Sequence, residues 1–223
     1  MSINKVLRAV FVASLVISSG LSARAASIIV DGGTSYNGDC TFACVERYQQ
    51  AYDSSAFSGA ITITDIDFRV SYGGTWSAGN SYRLTLSTSA NEVGSLSSTF
   101  ASNVGADAAV FDTQSFGSYS AGDYLGFDGS FSYDPTQGDL LVDIQLVAGS
   151  SGGPSLDYNY ISGGAFGRVY SFSGTTSGYV GQDYGNVTRF GFSETVAVPE
   201  PGALAILGIG LAGLGLARRK NAA

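Results

Sequence analysis

The chain has 223 residues, with 11 Lys and Arg, 18 Asp and Glu and no His, so its formal net charge at pH 7 is -7. The basic residues concentrate near the two ends, and the acidic body between them contains no Lys. Because phosphate groups are neutralised by clustered Lys and Arg, this composition argues against nucleic acid as a partner. The length allows a single domain with its own hydrophobic core.

Residues 1–26 have the organisation of a secretory signal peptide. A positive segment is followed by the apolar stretch 9–17 and then by small residues that fit an A-x-A cleavage site. We predict cleavage after Ala25 or Ala26 and export into an oxidising compartment. An uncleaved membrane anchor is the alternative, and the shortness of the apolar stretch speaks against it.

Two cysteines follow in the segment GDCTFACVERYQQAY. Cys40 and Cys44 are four residues apart, a spacing that a turn or a helix start brings within disulfide range. Such a bridge stabilises by about 2 kcal/mol in the chain-entropy model. A metal or redox pair is the alternative, but there is no His to complete a zinc site, and the redox motif has two intervening residues. We predict a structural disulfide and no metal.

The body, residues 27–195, contains many short runs in which apolar and polar residues alternate. In SYRLTLS, Tyr82, Leu84 and Leu86 share one face, which is the period of a half-buried strand. The same pattern predicts strands in ITITDIDFRV, GSFSYD, LLVDIQLV, RVYSFSG and VTRFGFS, and SIIV and AVFDTQSF are further candidates. Only CVERYQQAYDSSAF is predicted to be helical, and briefly.

These elements predict an all-β fold, an antiparallel β-sandwich or jelly roll. In YDPTQGDL, Asp134, Pro135 and Gly138 predict a tight turn between two strands. The residues expected to face the core are Leu84, Leu86, Leu140, Val142, Ile144 and Phe190.

The body lacks the residues that most hydrolytic mechanisms need. Without His or Lys there is no Ser-His-Asp set, no Cys-His set and no Schiff base. Paired carboxylates remain, Asp65 with Asp67 and Asp139 with Asp143, and each pair is expected to share a strand face. For Asp139 and Asp143 this is the solvent face. We favour a structural role as charges that discourage strand aggregation, and we predict no catalytic residue and no cofactor.

Two kinds of segment offer ligand-binding groups. The loops DGGTSYNGD and YDPTQGD carry oxygen ligands suited to calcium, but neither has the D-x-[DN]-x-[DN]-G pattern. The segments LDYNYISGG and GYVGQDYGN contain Tyr158, Tyr160, Tyr179 and Tyr184, whose rings are able to stack on sugars. Tyrosines that merely cover one end of a core are the alternative, and we favour it.

The chain ends in VPEPGALAILGIGLAGLGLARRKNAA. The motif residues are Pro199, Glu200 and Pro201, and the apolar run 203–217 separates them from Arg218, Arg219 and Lys220. As a transmembrane helix this run of about 15 residues is roughly 22 Å long, below the roughly 20 residues of a comfortable span. The basic cluster is expected to stop translocation and stay cytoplasmic. A plain single-pass anchor is the alternative to a temporary one.

In this order of features the tail, residues 196–223, resembles the PEP-CTERM sorting signal of exported proteins in Gram-negative bacteria. The body resembles an ectodomain type of such proteins in RYQQAYDSSAFSGAITITDIDFR, YRLTLSTSANEVGSLSSTFASNVGADAAVF and FSYDPTQGDLLVDI. The resemblance implies that an exosortase, a membrane peptidase, cuts near Pro-Glu-Pro. It also implies a transient stay in the inner membrane and release to the cell surface or extracellular matrix.

The function favoured by the sequence is that of an exported, non-catalytic surface or matrix protein. A carbohydrate-binding module in the exopolysaccharide matrix is the alternative, and an enzyme acting on polysaccharide is less favoured. The expected partners are the peptidase, the inner membrane during sorting and, for the alternative, exopolysaccharide.

Overall fold

The structure is a computed structural model that describes residues 25–31, 36–39, 42–160 and 164–194. These residues belong to one compact unit, Ala23–Thr195. The predicted signal peptide, apart from its last two residues, and the predicted sorting signal lie outside the described residues. Within the described ranges, no helix has the length and apolar character that crossing a bilayer requires.

Fifteen strands and four 3-10 helices form the regular structure of the described residues. The strands are β1 Ala25–Val30, β2 Tyr36–Asp39, β3 Arg47–Tyr52, β4 Ile61–Tyr72, β5 Gly74–Thr75, β6 Ser81–Thr88, β7 Ala109–Gln114, β8 Ser118–Tyr119, β9 Tyr124–Tyr133, β10 Leu140–Ala148, β11 Ser155–Tyr160, β12 Phe166–Ser171, β13 Tyr179–Gln182, β14 Tyr184–Asn186 and β15 Thr188–Glu194. The 3-10 helices are Phe42–Cys44, Ser54–Ala56, Phe100–Asn103 and Pro135–Gln137. The predicted all-β class is confirmed for this part of the chain.

The strands form two large antiparallel sheets and one small one. The seven-stranded sheet has the order β1-β15-β4-β11-β14, with β9 also paired to β4 and β2 to β11. The six-stranded sheet has the order β13-β12-β3-β10-β6-β7, and β5 pairs with β8. Every segment predicted to be a strand lies within one of these strands or overlaps it.

The two large sheets bury one shared hydrophobic core. Ile63, Ile66 and Phe68 of β4 point inward and join residues of the six-stranded sheet in a single cluster. The residues predicted to face the core all belong to this cluster and are at most 1% exposed: Leu84, Leu86, Leu140, Val142, Ile144 and Phe190. Two sheets packed through their apolar faces form a β-sandwich.

The prediction of a short helix in CVERYQQAYDSSAF is wrong. Most of this segment is β3, which pairs with β10 on one side and with β12 on the other. Its sequence is compatible with a helix, but Gln49 and Gln50 are fully buried and donate to Asp143 and to the carbonyl of Asn186. Burial and cross-strand hydrogen bonding therefore override the local propensity.

The outer face of the six-stranded sheet is covered by residues 89–104, here called the covering segment. Its side chains and those of the sheet form a second apolar cluster of Ala51, Leu96, Phe100, Leu141 and Val169. Consequently β10 is buried on both faces over its first five residues. The prediction that Asp143 lies on a solvent face is therefore wrong, because Asp143 is only 6% exposed.

Candidate functional site

Several predicted site residues lie outside the described residues. These are the sorting residues Pro199, Glu200 and Pro201 and the membrane-stop residues Arg218, Arg219 and Lys220. Cys44 ends the first 3-10 helix, but Cys40 lies outside the described residues, so the disulfide stays a prediction.

The carboxylates of Asp65 and Asp67 lie on the face of β4 that points away from the core. Each occupies space left by a glycine on a neighbouring strand, Gly191 on β15 for Asp65 and Gly126 on β9 for Asp67. A Cβ atom at either glycine would overlap the carboxylate oxygens. The hydroxyl of Thr64 also donates to Asp65 at 2.9 Å. The two aspartates therefore share a face, as expected, and are packed into the sheet surface.

Asp67 forms an ion pair across to β15. Nε and Nη2 of Arg189 donate to its Oδ2 at 3.0 and 2.7 Å, and the Arg189 guanidinium lies 4.0 Å from the ring centroid of Tyr124. Partial burial raises the pKa of Asp67, and the hydrogen bonds from Arg189 oppose that rise without cancelling it. The ion pair therefore links β4 to β15.

Asp143 is the centre of a buried polar network beneath the covering segment. Arg47 donates to both of its oxygens, from Nε at 3.0 Å and from Nη2 at 2.6 Å. Gln49 donates to Oδ2 of Asp143 at 2.9 Å and to the carbonyl of Phe100 at 3.1 Å. Asn103 in turn donates to Gln49 at 3.0 Å. The network fastens β3 and β10 to the covering segment.

The acidic residues of YDPTQGD hold backbone in place. Asp134 caps the 3-10 helix that follows it, and hydrogen bonds from the amide and hydroxyl of Thr136 lower its pKa. Asp139 accepts from the amides of Ser54 at 2.9 Å and Val93 at 2.7 Å. The predicted turn between β9 and β10 is confirmed. No group of three or more His, Cys, Asp or Glu suited to a metal occurs in the described residues.

All five arginines of the described residues contact a partner inside the fold. The pairs are Arg47 with Asp143, Arg69 with Asp157, Arg83 with Gln145, Arg168 with Tyr184 and Arg189 with Asp67. Each guanidinium thus has a neighbour within the fold, although the side chain of Arg69 remains 45% exposed.

The four tyrosines singled out from the sequence come together at one edge of the sandwich. With three further residues they form a continuous aromatic row of Tyr160, Tyr158, Tyr184, Arg168, Tyr170, Tyr179 and Phe172. Tyr158 stacks on Tyr184 at 4.9 Å between ring centroids, and the Arg168 guanidinium lies 3.4 Å from the Tyr184 ring centroid. The row joins β11 and β14 of one sheet to β12 and β13 of the other.

At one end of the aromatic row the connection between β12 and β13 forms a cleft of about 360 Å³. Its lining residues are Ser171, Phe172, Ser173, Ser177, Gly178 and Tyr179. Phe172 and Tyr179 are 61% and 66% exposed, and both rings contact Tyr170, at 5.6 and 5.8 Å between centroids. The cleft therefore combines two exposed rings with the exposed hydroxyls of Ser173 and Ser177, and no lining side chain is charged.

The loop that forms the cleft, residues 172–178, is tied to the body of the sandwich. Arg47 of the buried network donates to the carbonyl of Thr175 at 2.7 Å, and Glu46 accepts from the amide of Gly174 at 2.6 Å. The amide of Gly178 donates to the carbonyl of Ser98 at 2.8 Å. The loop is thus held from both sheet and covering segment.

Sequence reasoning missed three members of this region, Arg168, Tyr170 and Phe172. Arg168, Tyr170 and Phe172 alternate along RVYSFSG, so the sequence places them on one strand face. That signal was available. The contribution of Arg47 was not, because its partners Asp143 and Thr175 are distant in sequence.

The described residues and the sequence that follows them define an all-β protein with a C-terminal targeting segment. Residues 197–220 match the PEP-CTERM protein-sorting motif, which is consistent with an exosortase substrate. The motif indicates an exported protein that is transiently anchored in a membrane and processed by a membrane peptidase. The resemblance of the tail is thereby confirmed.

Comparison with curated proteins finds no match to the chain. Among solved structures, one described as the structure of infectious bursal disease virus Gt strain aligns with 92% of this chain at 10% identity, with a TM-score of 0.24. The alignment covers 52% of that viral chain, so this chain spans about half its length. A TM-score of this size does not establish a common fold.

Proposed function

We propose that this chain is an exported, non-catalytic protein of the cell surface or extracellular matrix, delivered there after an exosortase-type peptidase cuts its C-terminal signal. The observation on which the proposal depends is the sorting motif at residues 197–220. A short apolar run followed by three basic residues suits a temporary stop in the inner membrane. Prolines keep the preceding stretch out of the helix and accessible to a peptidase.

The non-catalytic part of the proposal is supported by what the carboxylates do in the fold. Asp143 accepts from Arg47 and Gln49, Asp139 accepts from two backbone amides, and Asp67 accepts from Arg189. Each is used to fasten strands or loops together. A polysaccharide-cleaving pair needs two carboxylates that face a shared substrate.

Substitution inside the motif tests the sorting proposal. Glu200→Gln removes one acidic side chain, which contributes little to membrane topology, so a plain anchor is unaffected by it. If a peptidase recognises the motif, the Glu200→Gln variant is processed poorly, and uncut protein accumulates in the inner membrane. Cell fractionation measures this, with Glu194→Gln, upstream of the motif, as the matched control. Equal distributions of wild type and Glu200→Gln would contradict recognition of the motif.

A second function, carbohydrate binding within an exopolysaccharide matrix, is favoured by one observation. The cleft formed by the connection between β12 and β13 presents Phe172 and Tyr179 beside serine hydroxyls. The buried network holds this loop in place. Aromatic faces combined with hydroxyl groups suit a sugar ring, which has both an apolar face and polar edges. Binding of polysaccharide by the exported protein tests this function.

A further inference from the structure

The cleft between β12 and β13 has the composition of a site for an uncharged, hydroxyl-rich ligand. Three of its six lining residues are serines, and the two large side chains are the exposed rings of Phe172 and Tyr179. No lining residue is charged, so the lining itself offers no cation to a carboxylate or phosphate group. The volume of about 360 Å³ lies at the small end of small-molecule sites, which begin near 300 Å³.

The exposure of the two rings is maintained by the surrounding structure. Tyr170 lies against both rings, and residues 172–178 are tied down through Arg47, Glu46 and Ser98. The bridge between Thr99 and Ser177 adds a further attachment to the covering segment. A loop that is already ordered loses little conformational freedom when it binds, so binding is favoured by this preorganisation.

We propose that this cleft binds a neutral sugar unit of a polysaccharide chain. The inference rests on the second proposed function and specifies its site and ligand class. The apolar face of the sugar ring packs on Phe172 and Tyr179, and the exposed hydroxyl groups of Ser173 and Ser177 exchange hydrogen bonds with its polar edge. The hydroxyl of Ser171 is buried and donates to the carbonyl of Ser173 at 2.8 Å, so it supports the cleft from within. Because the cleft is small, the rest of the chain extends past the rim into solvent.

The test uses the mature protein recovered from the surface of cells that express the full chain. Its affinity is measured by calorimetry for soluble β-glucan, α-glucan and mannan, with alginate as an acidic comparison. We expect the wild type to bind at least one neutral polysaccharide and to bind alginate more weakly. Phe172→Ala and Tyr179→Ala should each weaken binding by about tenfold, whereas Tyr179→Phe should retain it.

Tyr72→Ala is the matched control, because Tyr72 is 59% exposed and does not line the cleft. It should change the affinity by less than about twofold, in line with ordinary surface substitutions. The thermal unfolding midpoint of each variant checks folding. If a ring variant is destabilised, Ser177→Leu replaces it, since a larger side chain at the rim fills the cleft and should also abolish binding.

Three results would overturn the proposal. One is wild-type protein at the surface that binds none of the neutral polysaccharides, which leaves the sorting proposal intact. Another is glycan binding that survives both ring variants and Ser177→Leu, which places the site elsewhere. The third is a concentration-dependent dimer that the ring variants dissociate while no glycan binds, which assigns the surface to a second copy of the chain.

Discussion

The buried carboxylate of Asp143 illustrates how single residues stabilise this sandwich. It accepts two hydrogen bonds from Arg47 and one from Gln49 in a site from which solvent is largely excluded. Charge-assisted, bidentate hydrogen bonds between Arg and a carboxylate are among the stronger polar interactions in proteins. Removing one partner of such a pair leaves the other charge buried and uncompensated.

We therefore expect Asp143→Ala to lower the free energy of unfolding by about 3 kcal/mol. Glu92→Gln is the control, because Glu92 is an exposed charge in the covering segment and should change stability by less than about 0.5 kcal/mol. Denaturant unfolding of both variants measures the difference. Similar stabilities for the two variants would mean that the network contributes no more than a surface charge.

The raised pKa of Asp67 makes the free energy of unfolding depend on pH in a defined direction. Burial raises its pKa in the folded protein, so the folded state binds the proton more tightly than the unfolded state. Its contribution to stability is therefore full below the unfolded pKa of about 3.9 and is lost as pH rises through the folded pKa. Asp67→Asn removes this titration.

The stability of the wild type relative to Asp67→Asn should thus be higher at about pH 3.5 than at neutral pH. Urea unfolding of both proteins at the two pH values gives the difference directly. The opposite trend would show that attraction to Arg189 outweighs burial at this position.

At the scale of strands and loops, alternation was the reliable signal in the sequence. In SYRLTLS and VTRFGFS the residues with period two face the core, because each strand has one face in the sandwich. The segment RYQQAY has no clean alternation, because the core covers one face of β3 and the covering segment the other. Burial on two faces depends on contacts with distant residues, so local pattern could not predict it.

For the candidate site too, the sequence predicted some features and only the fold shows the others. Its tyrosines were visible in LDYNYISGG and GYVGQDYGN, but their convergence depends on how β11 to β14 pair. The support of the cleft by Arg47 depends on a carbonyl 128 residues away. Composition therefore predicted the kind of side chain, and only the fold defined the arrangement.

Arg168 links the two sheets through the aromatic row. Its guanidinium lies over Tyr184 of one sheet and over Tyr170 of the other, at 3.4 and 4.7 Å from the ring centroids. Cation–π contacts at partly desolvated sites contribute about 1 to 2 kcal/mol, so Arg168→Ala should reduce stability by at least about 1 kcal/mol.

Arg83→Ala is the comparison for this prediction, because Arg83 donates to Gln145 on the neighbouring strand of the same six-stranded sheet. It should have the smaller effect in thermal unfolding experiments. If both variants unfold at the same midpoint, the contact between sheets through Arg168 adds nothing to stability.

At the scale of the whole molecule, the C-terminal sorting motif and the folded body have separate roles. The described sandwich contains the candidate sugar cleft, and the motif at residues 197–220 directs sorting. A simple anchor needs only hydrophobic length and flanking charge, whereas this tail also has Pro199, Glu200 and Pro201 before a short apolar run. The central claim is that the tail is a processing signal.

The most direct test of this claim is the intact mass of the wild-type protein isolated from the cell surface or the surrounding matrix. We predict that its C-terminus lies close to the Pro-Glu-Pro motif and that residues 203–220 have been removed. Protein that reaches the surface with residues 203–220 still attached would contradict the account.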